Sequence, residues 1–176
     1  GLNKVDAYLV SMLRDYVAPS HTLITDRDMV RLHIGDAPTC LDIAQWGINW
    51  QDKSHELAEC LTLFDGLEKT GTFWHFVRGF MDGDGSVVVP RYKYNAAISF
   101  CGTSRFLTQL QKEINRRFDP PTVGCLNQQK HRPLKSGPDK YLWSLAYTGR
   151  LLFHRIGEKI YENKDDLFLL PKFPHN

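Results

Sequence analysis

Asp82 and Asp84 are carboxylates one residue apart, each followed by a glycine, in the stretch Phe76-Val77-Arg78-Gly79-Phe80-Met81-Asp82-Gly83-Asp84-Gly85-Ser86-Val87. They end an apolar run, and the strand-like Val87-Val88-Val89 follows. Gly79 has no side chain, so another helix can approach closely there. Gly83 and Gly85 let the chain turn sharply where the helix stops. The pattern leaves an acidic group at the foot of a helix, beside the start of a strand. Oxygen ligands so placed suit a hard divalent cation such as magnesium, which takes one or two carboxylates with waters and phosphates. A calcium loop of the EF-hand type does not fit. Counted from Asp82, its glycine and glutamate positions hold Val87 and Lys93. A Gly/Asp-rich turn after a buried helix is the plainer alternative.

Such a group needs elements to hold it, and the periodicities suggest two related halves. In the first, Val5–Leu13 is an apolar run suited to a helix. Leu23–Thr25 and Met29–Ile34 read as strands around the turn Asp26-Arg27-Asp28. Ala37–Trp46 reads as a helix capped by Asp36. Residues 47–72 read as a looser connector. In the second half, 73–83 reads as the helix that carries the acids, and Ser86–Tyr92 with Asn95–Cys101 as a hairpin. Thr103–Phe118 is predicted helical from Phe106, Leu107, Leu110, Ile114 and Phe118, with Asp119-Pro120-Pro121 as its stop. Val123–Leu126 and Tyr141–Tyr147 read as a second strand pair joined by a basic loop, Gln128–Lys140. Residues 149–162 read as a helix with Leu151, Leu152, Ile156 and Ile160 on one face, before the tail Leu167–Phe173.

Val77-Arg78-Gly79-Phe80-Met81-Asp82-Gly83-Asp84-Gly85, followed by Ser-Val, resembles the nine-residue motif of the LAGLIDADG homing endonucleases. Its glycines and aspartates fall in register. The resemblance is strong over 73–118 and 141–173 and weak over 5–60. It implies an α+β fold of two pseudo-symmetric LAGLIDADG repeats, each αββαββα-like, with antiparallel saddle-shaped sheets packed on helices. Residues 1–72 would be the first, degenerate and shortened repeat, and 73–176 the second, intact one. The motif's eighth residue, here Asp84, is the family's metal-binding catalytic acid; Gly79, Asp82, Gly83 and Gly85 match its structural positions.

The first half departs from that pattern. With Ser11 set opposite Gly79, Arg14 takes the sixth position, Asp15 the seventh and Tyr16 the eighth. Asp15 is the candidate acid and metal ligand there, one residue out of place. A helix position rotates by ~100° per residue, so the plainer reading is a degenerate motif that still packs as a helix. Two intact halves would hold Mg2+ or another divalent cation between their acids and hydrolyse phosphodiesters. The resemblance also implies a catalytic lysine after the last helix, and Lys172 matches it; a solvated lysine in a fraying tail is the plain alternative. Lys53 is a weaker candidate from the first half. Near the end of the second strand only Thr103 is offered as a polar residue to order water.

Double-stranded DNA would lie across the strands, where alternate side chains reach base edges in the major groove. The candidates are Arg91, Lys93 and Asn95 at the first hairpin, and Gln128, Gln129, Lys130, Arg132 and Lys135 in or beside the second. A solvated polar loop is the alternative for each. Charge supports the assignment. Residues 1–73 hold six Lys/Arg and eleven Asp/Glu, whereas 74–176 hold sixteen and nine. The basic half can supply phosphate contacts.

Composition bounds the rest. The 176 residues, 42% hydrophobic, can bury a core as one domain or two small ones. No apolar run is long enough to span a membrane, and no basic-then-apolar leader opens the chain. The opening Gly1-Leu2-Asn3 lacks a methionine, as expected of a tag remnant or the edge of a longer chain. Cys40, Cys60, Cys101 and Cys125 form no CxxC pair, which points to packed, reduced thiols in an intracellular protein. Three function classes follow: a DNA endonuclease; a non-catalytic regulator or intron-RNA splicing helper keeping the fold; and a protein-interaction module using the acidic half. Two motif-like helices in one chain favour a monomer in which each covers the other's small-residue face. One good motif per chain would instead suit a homodimer.

Overall fold

Strand alternation and helical spacing resolve into two antiparallel sheets and six α-helices in the computed structural model, which describes residues 1–45, 61–88, 96–118, 123–133 and 141–162. The chain is therefore α+β. In the first half, strand β1 (Leu2–Asn3) leads through a 3-10 turn at Lys4–Asp6 into helix α1 (Ala7–Val17). Strands β2 (Leu23–Asp26) and β3 (Met29–Leu32) follow as a hairpin, and helix α2 (Ala37–Gln45) ends this half. The sheet order is β1-β3-β2, with Thr25 opposite Val30. Asp36 caps α2 as expected: its Oδ2 accepts the Thr39 backbone N–H at 3.1 Å. Hydrogen bonds from the Thr39 side chain and backbone hold its carboxyl below the usual range.

The reading of 47–72 as a looser connector is corrected over 61–72, while 47–60 lie outside the described residues. Helix α3 (Leu61–Thr70) occupies the end of that stretch. Leu63, Phe64 and Leu67 are buried at helical spacing, while Asp65 stays exposed. Gly66 costs the helix about 1 kcal/mol relative to alanine. Burial of three large apolar side chains, at about 1.5–3 kcal/mol each, outweighs it. Gly71, at φ +69°, then turns the chain into the next helix, a conformation costly for other residues.

Helix α4 (Phe73–Asp84) runs into strand β4 (Gly85–Val88), which pairs with β5 (Ala97–Gly102). Helix α5 (Ser104–Asn115), strands β6 (Cys125–Pro133) and β7 (Tyr141–Thr148), and helix α6 (Arg150–Tyr161) complete the described chain. The sheet order is β4-β5-β7-β6. The apolar buried residues of α3, α4, α5 and α6 join Ile98, Phe100, Leu145 and Tyr147 in one core. Its centre is aromatic. Phe64 stacks with Phe106 at 6.0 Å, and Phe80 with Phe100 at 5.9 Å. The Arg117 guanidinium lies 3.7 Å over Phe73 while pairing with Glu113 at 2.7 Å and with Glu68 of α3. Burial pushes the Glu113 carboxyl up, but hydrogen bonds from Arg117 and Arg116 outweigh it and hold it below its usual range.

Two sequence expectations change here. Leu151 is 70% exposed rather than on the buried face with Ile156 and Ile160. It sits next to Leu152, about 100° away around the helix. Strand β6 also runs to Pro133, so Gln128–Pro133 are strand rather than loop. Among the described residues, no helix is long and apolar enough to cross a membrane.

Candidate functional site

The last turn of α4 separates its two aspartates by direction. Phe73, Val77, Arg78, Met81 and Asp82 form the buried face of the helix. Asp82 is only 8% exposed, and its Oδ1 accepts the Tyr161 hydroxyl from α6 at 2.5 Å. Arg78, 5% exposed, is one helical turn before Asp82 on the same face and contacts His75 Nδ1. Asp84, two residues on, is exposed. It stands where the helix ends and β4 begins, because Gly85 takes an extended conformation at φ −83°, ψ 167°. The Gly85 N–H still closes the helix onto the Met81 carbonyl. A Cβ at residue 85 would lie 2.5 Å from that oxygen and 2.8 Å from the Met81 Cα, so only glycine fits.

A cation is favoured at this end of a helix. The last carbonyls of a helix carry roughly half a negative charge. Asp84 adds to that field and suits a divalent cation. Among the described residues, no three His, Cys, Asp or Glu side chains converge as a ready-made metal cage. One carboxylate per helix end is the donor set that magnesium shares with waters and phosphates.

The second sheet supplies a surface next to Asp84. Ile98, Phe100, Leu145 and Tyr147 point into the core, so their neighbours point the other way. Register places Ser86, Ser99, Ala146 and Cys125 in one row across that open face. Cys101, Ser144 and Asn127 form the next, in which Ser144 is buried, with Gln129 opposite Leu142 beyond. The floor is thus small and uncharged, with amide side chains at the β6 edge.

Several expected DNA contacts are relocated by this register. Gln129 lies on the open face, but Gln128 is opposite Trp143 and shares the parity of the core side. Lys130 and Arg132 lie in β6, where the pairing is irregular between Gln129 and Pro133. Asn127 was not among the sequence candidates, although alternation from Cys125 through Gln129 marks it. Arg91, Lys93, Asn95, Lys135, Lys172 and Lys53 lie outside the described residues. Thr103 does not face the site. It is 6% exposed and precedes α5, and its carbonyl accepts the Leu107 N–H at 3.0 Å. Tyr161 was also missed, since a tyrosine at a helix end carries no local signal of a partner 79 residues away.

The residues that the sequence reading set opposite this turn, Asp15 and Tyr16, lie at the end of α1. Tyr16 is 90% exposed. Asp15 is exposed too and is held by its neighbour, Arg14 Nε donating to Oδ1 at 2.8 Å. The expected mutual cover of α1 and α4 is not present at Gly79 and Gly83. Both are exposed, and a Cβ on either would meet nothing within 4 Å. No protein-family model matches the chain, and no curated protein matches it at a significant level.

Proposed function

We propose that the chain is a divalent-metal-dependent DNA endonuclease of the LAGLIDADG type, with Asp84 as its metal-binding acid. The observation that carries this reading is the split at the end of α4: Asp82 is turned into the core, and Asp84 is left exposed beside an open sheet face. The reading also treats 73–176 as the intact repeat and 1–72 as its degenerate partner. When bound, a magnesium ion would activate water and neutralise charge on the leaving oxygen. Asp84 would hold it at the edge of the duplex. Ser86, Ser99 and Ala146 are short enough for a groove to sit close over the strands, while Asn127 and Gln129 carry the amide type that pairs with adenine edges. Basic residues of the second half supply phosphate contacts that fix register without reading sequence.

A second acid is needed for double-strand cleavage. The uncovered Gly79–Gly83 stripe of α4 and the exposed Tyr8, Met12 and Tyr16 of α1 are apolar surfaces suited to helix packing. Packed within one chain, they give a monomer that nicks or cuts weakly, with Asp15 as the only nearby first-half acid. Packed between two copies of α4, they give a homodimer with two Asp84 groups. The exposed Tyr16 at the eighth position favours one further reading, a catalytically inactive binder of DNA or intron RNA.

Asp84→Asn tests the proposal on a mixed DNA library with magnesium. The parent should give nicked or cut products, and the variant should lose at least about 100-fold in rate with its melting temperature unchanged. Salt-sensitive binding without products, equal in both proteins, would leave the inactive binder.

A further inference from the structure

We propose that Tyr161 is a positioning residue that fixes the end of α4 and so aims Asp84. The role of Asp84 rests on the endonuclease reading, but the clamp itself does not. Three observations converge. The Tyr161 hydroxyl, on the last residue of α6, reaches Asp82 Oδ1 at 2.5 Å across 79 residues of sequence. Asp82 and Arg78 are buried on the face of α4 that meets α6. Asp84 follows Asp82 by two residues, on the exposed side, immediately before the forced exit at Gly85.

Helix ends fray because their last carbonyls lack partners within the helix. The final turn of α4 ends in Asp-Gly-Asp-Gly, and glycine is the freest residue in the backbone. Left to itself, such a turn would let Asp84 wander. A hydrogen bond to a charged acceptor is among the stronger ones available. Here it anchors the residue one helical step before Gly83, and β4 anchors the chain just after Gly85. Asp84 is held between two fixed points, one on α6 and one in the sheet. A carboxylate that must meet a metal and a phosphate tolerates little displacement.

The test is Tyr161→Phe, which keeps the ring and removes only the hydroxyl. Backbone order parameters from nitrogen relaxation should fall at Gly83, Asp84 and Gly85, from about 0.85 to below about 0.6, while those of α5 stay constant. At saturating DNA, kcat should fall at least about 10-fold, with KM within about twofold of the parent. Asp82→Asn keeps the shape and removes the charge that strengthens the bond, so order at 83–85 should fall there too, by less than in Tyr161→Phe. It also serves if Tyr161→Phe does not fold. Unchanged order at 83–85 in Tyr161→Phe, or in Asp82→Asn where the first variant does not fold, overturns the clamp. So does a drop in order with no loss of kcat. A parent chain without Asp84-dependent cleavage would instead sink the endonuclease reading, and the relaxation data would still decide the clamp.

Discussion

Helices α1 and α4 each lead into a sheet of their own half, yet they differ in what holds them. Five residues of α4 are buried, and its end is tied by Asp82 to α6 and by Gly85 to β4. In α1 only Val10 is buried, and Tyr8, Met12, Leu13, Tyr16 and Val17 stay exposed. Helix α4, which carries Asp82 and Asp84, is thus seated in a core. Helix α1 leaves most of its large apolar side chains exposed, so the two helices differ in burial as well as in their acids.

The strongest way to break that comparison is to cut the chain. A fragment from residue 61 onward carries the whole aromatic core and should unfold cooperatively on heating, followed by circular dichroism. A fragment of 1–60 has Val10, Ala18 and Val30 as the buried apolar residues of its described part, too few for a stable core. It should give a disordered spectrum; a cooperative melt from it would show that the halves are equals.

Gly85→Ala is next. The new methyl group would press on the Met81 backbone, which cannot rotate away, at a cost of about 2–3 kcal/mol. Urea unfolding should show the midpoint drop, and an unchanged midpoint would mean that α4 does not end as described.

Alkaline pH probes two tyrosines of the second half. Tyr147 is fully buried, and burial pushes its hydroxyl up; burial and then Asp82 push Tyr161 up. Both folded values exceed the unfolded value near pH ~10. Their contribution is intact below that pH and lost as pH rises above it. For Tyr147 the loss approaches ~1.4 kcal/mol per pH unit. Tyr147→Phe should flatten the decline in melting temperature above pH ~10, and an equal slope would place the cause elsewhere.

Gly79→Ala should have the smallest effect and the most informative sign. With open space at its Cβ position, alanine should stabilise the helix by about 0.5–1 kcal/mol. A lowered melting temperature would mean that another helix covers Gly79 in solution.

Most of the second half was legible from spacing. Phe106, Leu107, Leu110 and Ile114 announced α5, and the Asp-Gly pairs marked the end of α4. What stayed hidden depended on partners distant in sequence. Helix α3 looked like a connector because Asp65-Gly66 reads locally as a turn. Only contact with Phe73, Phe76 and Phe106 makes Phe64 a core residue. Asp82 and Asp84 look alike in sequence, and the inward turn of one appears only once α6 brings Tyr161 to it. Likewise, Gln128 and Gln129 have the same chemistry, and strand register alone decides which face of the sheet each takes.

The alternation along β5 and β7 means that one strand writes two independent texts. Ile98, Phe100, Leu145 and Tyr147 spell out the interior, while Ser99, Cys101 and Ala146, only partly covered, spell out the opposite face. A change in the second set leaves the first untouched. Selection or an engineer could thus revise that second face one letter at a time, on a scaffold that does not notice.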